Sequence, residues 1–258
     1  MINLIKADFY KLLRRKALYV CIILAIISSG LNIVLMNYNM SLKGIPGSLL
    51  GYSGFSAIPF GIASGSIFCT ILVSMFIASE FSFGTMKNII SSGQSRINIY
   101  LSKLIVTLAI SAAFVLICAI TPFVAGSICW GIGEATRDDY LNVLRMIGLV
   151  ILVEFSMQCL FAMVAFLSRS TGGAVAINII IGMFVRSLLL PIISFGVYSL
   201  FKVENIQIER YWPYTYMQLF IYPEIKSEDL IMGLIVCFSA IIITSAIGIF
   251  SFVKRDVK

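Results

Sequence analysis

Residues 104–128 read LIVTLAISAAFVLICAITPFVAGSI and contain no charged side chain. A helix needs about 20 apolar residues to cross the hydrocarbon core of a bilayer, because each residue rises only about 1.5 Å. This run is therefore long enough to span a membrane. Its apolar residues do not alternate with polar ones, which excludes a strand of a membrane β-barrel.

The rest of the chain has the same character. Of its 258 residues, 60% are hydrophobic and only 12% are charged, whereas about a quarter of the residues of a soluble domain are charged. We predict an all-α polytopic membrane protein with a single transmembrane domain over residues 1–258. The six predicted spans are residues 17–36, 57–79, 104–128, 143–167, 174–198 and 230–253.

The connections between these runs differ in charge. One side holds the N-terminus, the 80–103 loop, the 168–173 turn and the C-terminus, with twelve basic and three acidic residues. The opposite side has five basic and eight acidic residues. Because basic residues concentrate on the cytoplasmic side, both termini are predicted to be cytoplasmic. The net charge of +7 is thus attributed to membrane topology and not to nucleic-acid binding.

Residue types that carry chemistry are sparse. The chain has no His, and its six Cys lie in or at the ends of apolar runs without metal-ligand spacing. We therefore expect no metal site, no disulfide framework, no bound cofactor and no catalytic residue. The phosphate-binding pattern G-x-x-x-x-G-K-[ST] is absent from the sequence, so we expect no ATP hydrolysis by a P-loop of this chain.

Two segments outside the spans have features of a membrane surface. Residues 1–16 are predicted to form a helix in the cytoplasmic interface, with its basic face toward the lipid headgroups. The apolar face of that helix consists of Ile2, Ile5, Phe9, Leu12 and Leu13. The outer loop at residues 199–229 is rich in Tyr, Trp and Phe, which concentrate at membrane interfaces. We favour an anchoring role for this loop, and a lid over an exit path is the alternative.

The cytoplasmic loop at residues 80–103 carries an internal pattern. Thr85 is predicted to cap a short helix at its start, and Gly93 is predicted to follow its end. The apolar residues at helical spacing in it are Met86, Ile89 and Ile90. Ser95 is predicted to cap the next helix. A helix of two turns is not stable alone, so we expect it to pack on lipid or another protein.

This loop resembles the cytoplasmic loop of ABC-2 type transporter permeases. The positions that carry the resemblance are Glu80, Gly84, Thr85, Ser95, Arg96 and Lys103. The N-terminal helix, the six spans and the tail FVKRD at residues 252–256 are also similar, so the resemblance covers the layout of the whole chain. In size the chain looks most like the small bacterial six-span permeases of lantibiotic-immunity and bacitracin exporters.

The resemblance implies that the loop is a coupling helix that seats in a separate P-loop ATPase subunit, which binds ATP and Mg. The residues assigned to coupling are Glu80, Gly84, Thr85, Met86, Ile89, Ile90, Gly93 and Arg96. The three apolar residues would contact the ATPase, and Thr85 and Gly93 would fix the helix ends. Glu80 and Arg96 would pair, or contact the ATPase or the N-terminal helix.

The same resemblance implies an exporter in the bacterial cell membrane that works with a second permease copy or a homologous permease. Its cargo would be amphipathic or hydrophobic, for example an antimicrobial peptide or antibiotic, and its role self-immunity or resistance. Two other functions fit the sequence. One is an ion-coupled secondary transporter or channel that uses Glu154 and Arg186, and the other is a membrane sensor or scaffold without transport.

Glu154 and Arg186 are charged residues within spans four and five. They are predicted to lie roughly 16 Å and 18 Å below the outer ends of their helices, at matching depth. Charges inside a membrane usually face a protein interior and mark functional sites. We predict an ion pair that gates or lines the path, with a site for a charged substrate group or a static packing pair as alternatives. Pro191 should kink span five.

Overall fold

The computed structural model describes residues 1–42, 53–133, 136–168, 170–201, 208–221 and 225–254. Within these ranges the regular structure is helical, with no strand, which confirms the all-α polytopic class. The helices are α1 (Ile2–Leu13), α2 (Lys16–Leu42), α3 (Gly54–Ile62), α4 (Ser66–Ser82), α5 (Thr85–Ser91), α6 (Arg96–Trp130), α7 (Arg137–Ser168), α8 (Thr171–Phe184), α9 (Leu190–Phe201), α10 (Thr215–Leu219) and α11 (Ser227–Lys254).

Four of these helices, α2, α6, α7 and α11, are long and apolar enough to cross a membrane. Two bent pairs bring the number to six if each pair is one span. In the first pair α3 and α4 meet at 43°, and in the second α8 and the helix that follows it meet at 46°. Each predicted apolar run therefore lies in a long helix or in a bent pair.

The breaks in the two bent pairs have identifiable causes. A 3₁₀ turn at Ala63–Gly65 separates α3 from α4. In the second pair a π-helical segment, Val185–Leu189, precedes Pro191. Proline removes a backbone donor and clashes with the preceding turn, and π-helical segments bend helices. The kink predicted at Pro191 is present, and the break within the second predicted span was not predicted.

The packing of α1 also corrects a prediction. Leu12 is buried, and Ile5 and Phe9 pack against the protein core, where α1 contacts α6. Ile2 and Leu13, assigned to the same apolar face, are instead exposed. The buried part of this face therefore contacts the bundle, because the adjoining helices offer it an apolar surface, and the interfacial position of α1 stays a prediction.

The outer aromatic segment is only partly exposed. Tyr216, Met217 and Phe220, in and next to α10, are buried against residues of α7 and α11. The prediction that this loop only anchors at the interface is corrected for these three residues. Tyr211 is 70% exposed, as an interface residue would be. Tyr222 and residues 43–52 lie outside the described residues.

Gly61 packs α3 closely against α6, and its replacement by Ala should destabilise the protein. A Cβ atom at this position would lie 2.7 Å from Pro122 Cγ, and a proline ring in a helix has little freedom to move. We expect Gly61→Ala to cost about 1–3 kcal/mol in the free energy of unfolding. The measurement is thermal unfolding in detergent with a thiol-reactive dye, because five of the six cysteines are buried.

The matched control for this prediction is Gly148→Ala in α7. No heavy atom lies within 4 Å of the Cβ position there, and Ala favours a helix more than Gly does. We expect this variant to unfold at the wild-type temperature or slightly above it. If the two variants unfold alike, the close contact between Gly61 and Pro122 does not contribute to stability.

Candidate functional site

Three charged side chains are buried where α1, α4 and α6 meet. Lys103 Nζ lies 2.7 Å from Asp8 Oδ1 and 2.8 Å from Glu80 Oε1, and each side chain is at most 3% exposed. We call Asp8, Glu80 and Lys103 the buried charge cluster. Since each residue comes from a different helix, the cluster ties the N-terminal helix to the end of α4 and the start of α6.

Neighbouring groups satisfy much of the cluster's charge. Ser102 Oγ donates to Asp8 Oδ2 at 2.7 Å. Lys11 Nζ, on the half-exposed rim, donates to Glu80 Oε1 at 3.3 Å. The Lys103 ammonium also lies 4.6 Å from the centre of the Phe76 ring. Buried ions are tolerated only when paired in this way, so the cluster is a specific link between helices.

The short helix α5 follows directly from α4 and lies beside this cluster. Gly84 precedes α5 with φ of +69°, and Gly93 follows it with φ of +83°, in the left-handed region that favours glycine. Gly93 thus has the position and backbone conformation predicted for it. Thr85 is the first helical residue and not the cap, because its hydroxyl donates to the Glu80 carbonyl at 3.2 Å.

The apolar stripe of α5 faces the protein. Met86 is 1% exposed and lies in the main core, and the half-buried Ile89 and Ile90 pack against that core. This corrects the placement of Met86 in a contact with the ATPase, because its side chain is already covered by the chain's own helices. The exposed side of α5 and the preceding turn includes Phe83, Lys87, Asn88 and Ser91.

The loop is also joined to two later helices. Arg96 Nη1 donates to the carbonyls of Phe252 at 3.3 Å and Val253 at 3.0 Å, in the last turn of α11 where carbonyls lack helical partners. Ser82 Oγ accepts from the Thr171 amide at 3.2 Å, at the start of α8. As predicted, Ser95 caps α6, its side chain accepting from the Asn98 amide. The tail residues 255–258 lie outside the described residues.

Glu154 lies in the interior of α7 and is 2% exposed. The Ser66 hydroxyl donates to its Oε1, and Gln158 Nε2 donates to its Oε2 at 3.3 Å. The side chain of Arg186 lies outside the described part of the structure. The ion pair between Glu154 and Arg186 therefore stays a prediction, while the contacts of Glu154 with two neutral donors are established.

The buried charge cluster was only partly foreseeable. Glu80 and Lys103 were identified by resemblance, and contact of Glu80 with the N-terminal helix was one of the predicted alternatives. Asp8 was missed. Its signal is its position three residues after Ile5 and four before Leu12, on the apolar face of α1. An acid on a buried face requires a buried partner, and Lys103 is that partner.

Comparison with known proteins adds one match. The sequence profile of the ABC-2 family transporter proteins matches residues 4–185. This range includes most of α1, the buried charge cluster, α5 and Glu154. No curated protein matched the chain.

Proposed function

Because the chain belongs to the ABC-2 family of transporter proteins and is thus a membrane permease subunit, we propose that a separate P-loop ATPase docks on α5 and drives export. The observation that carries this proposal is Phe83, which is 80% exposed beside α5. Lys87, Asn88 and Ser91 are exposed with it. An aromatic ring with a polar rim is typical of the centre of a protein contact.

The contacts of α5 would let movement of the ATPase reach several spans together. Met86 seats α5 in the core, so a force on its exposed side moves the helix and the bundle as one body. The Thr85 hydroxyl and the Glu80 carbonyl join α5 to α4. The ion pairs of Lys103 with Glu80 and Asp8 connect the end of α4 to α6 and α1. The bonds to α8 and α11 add two further helices to this body.

Several parts of the proposal rest on the similarity to small bacterial exporter permeases. They are the bacterial cytoplasmic membrane as the location, a second permease copy or a homologous permease as partner, and ATP and Mg bound on the ATPase. The proposed cargo is amphipathic or hydrophobic, such as an antimicrobial peptide or antibiotic, and the proposed role is self-immunity or resistance. The exposed apolar surface of the helices is compatible with such cargo.

The first test is affinity purification of the tagged chain from its own host in mild detergent, with mass spectrometry of the proteins that remain bound. We expect a stoichiometric P-loop ATPase. The double variant Phe83→Ala with Lys87→Glu should reduce the recovered ATPase at least about tenfold, because loss of a central aromatic contact costs about 2 kcal/mol or more.

The matched control is Tyr211→Ala, which removes an aromatic ring of similar exposure, 70%, from the outer segment. It should recover as much ATPase as the wild type. A homogeneous wild-type preparation without ATPase contradicts the proposed partnership. Equal recovery with the Phe83 and Lys87 variant contradicts docking on this side of α5.

A further inference from the structure

The two broken spans are broken at the same level of the bundle. Asn178 gives a common reference point for comparing positions along three helices. Its Nδ2 donates to Ser74 Oγ at 2.7 Å and to the Phe161 carbonyl at 3.0 Å. These bonds join α8 to α4 and to α7. Seven or eight residues farther outward along the three helices, about 10–12 Å, lie the start of α4, Glu154 and the π-helical segment.

Glu154 therefore lies at the level of both helix breaks and contacts one of them. Ser66, which donates to Glu154, is the first residue of α4 after the 3₁₀ turn. The π-helical segment Val185–Leu189 occupies the corresponding level of the other broken span. In membrane proteins, discontinuous helices that meet a buried charged residue free backbone carbonyls and commonly form binding sites.

An unused acceptor lies beside the carboxylate. Gln158 is fully buried, and while its Nε2 donates to Glu154, its Oε1 has no hydrogen-bond partner within the described residues. A buried carbonyl oxygen without a hydrogen-bond partner is rare in native proteins, so this one needs a physical explanation. Three kinds of oxygen thus meet here: the Glu154 carboxylate, the Gln158 amide and the Ser66 hydroxyl.

We propose that Glu154, Gln158 and Ser66 form a binding site for a small cation, either an alkali metal ion or the ammonium group of an amine. The carboxylate supplies the charge, and the Gln158 Oε1 and Ser66 Oγ supply neutral acceptors. An ammonium group has three N–H donors, which match these three side chains. Hard alkali ions likewise bind oxygen ligands. If the cation is an amine, this inference rests on the proposed transport function, because the amine would then be part of the cargo.

The test uses the full chain, purified in detergent without its ATPase. Its unfolding temperature is measured with a thiol-reactive dye in sodium, potassium, ethylammonium or choline chloride at equal concentration. Choline is the control because its quaternary nitrogen has no N–H donor and is bulky. We expect at least one of the three small cations to raise the unfolding temperature by about 2 °C or more over choline.

Three variants locate the effect. Glu154→Gln should abolish the shift, and Gln158→Leu should reduce it. Glu228→Gln makes the same chemical change at an exposed position of α11 and should keep the wild-type shift. A shift with sodium or potassium alone identifies an inorganic cation, and a shift with ethylammonium alone identifies an amine site.

Two results would overturn the proposal. One is a wild-type protein that unfolds at the same temperature in all four salts, as expected if the Arg186 guanidinium already holds Glu154. The other is a shift that survives in Glu154→Gln. Recovery of the ATPase in the affinity purification is a separate measurement, so failure here leaves the docking proposal standing.

Discussion

Lys103→Met is expected to lower the free energy of unfolding by about 3–5 kcal/mol, because it leaves two buried carboxylates without their shared cation. Lys103 is fully buried, and Asp8 and Glu80 are at most 3% exposed. Methionine fills nearly the same volume as lysine, so the loss is mainly electrostatic. The measurement is the thermal unfolding of the purified chain, together with its yield from membranes.

The control removes the whole buried charge cluster. Combining Lys103→Met with Asp8→Asn and Glu80→Gln leaves no buried charge there, and neutral replacements of buried ion pairs are often tolerated. This triple variant should recover most of the lost stability. Lys11→Met, at the 44% exposed rim, should cost less than about 1 kcal/mol. A Lys103→Met protein as stable as the wild type would contradict a contribution of these ion pairs to stability.

The same variants distinguish two roles of the buried charge cluster. One role is to stabilise the fold, and the other is to transmit movement of the ATPase to the spans. If the cluster transmits movement, the folded triple variant still recovers the ATPase but loses ATP-dependent export. If the cluster only holds α1 in place, the triple variant exports as the wild type does. The cluster connects residues on three helices, so the first outcome is the one we expect.

Much of the fold could be predicted because a membrane span is a local property of composition. The run at residues 104–128 carries its own signal, and it lies within α6 as predicted. Gly93 likewise marks the end of α5 through its own backbone preference. Such features depend only on residues that are close together in the sequence, so the sequence alone is sufficient to predict them.

The contacts between distant residues could not be predicted in this way. Asp8 and Lys103 are 95 residues apart, and nothing in either local sequence names the other as its partner. The break at Ala63–Gly65 was missed for a related reason, because small residues also occur in continuous spans. These features depend on how the helices pack against each other, which a single sequence does not specify.

The apolar stripe of α5 shows the same limit within a single helix. Its spacing correctly indicated a helix with one face covered. It could not indicate whether the cover was the ATPase or the chain's own core. Met86 at 1% exposure assigns that face to the core, and the proposed contact with the ATPase moves to the opposite side.

Ile89→Asp with Ile90→Asp is accordingly expected to act by unseating α5. Both side chains pack against the core, so the change loses about 1 kcal/mol of burial at each position and also places carboxylates against apolar residues. We expect a lower unfolding temperature and no ATPase in the affinity purification. Phe83→Ala with Lys87→Glu, in contrast, should lose the ATPase at an unchanged unfolding temperature.

The matched control for the double aspartate variant is Asn88→Asp with Ser91→Asp. It adds the same two negative charges to the same helix, but on its exposed side. We expect a wild-type unfolding temperature, with ATPase recovery lowered only by charge at the docking surface. If both aspartate pairs lower the unfolding temperature equally, charge alone destabilises α5. If the Ile89 and Ile90 variant is as stable as the wild type and still loses the ATPase, those isoleucines contact the ATPase directly. The docking surface would then include the apolar stripe that packs against the core. In that case α5 would have to detach from the core to bind the ATPase.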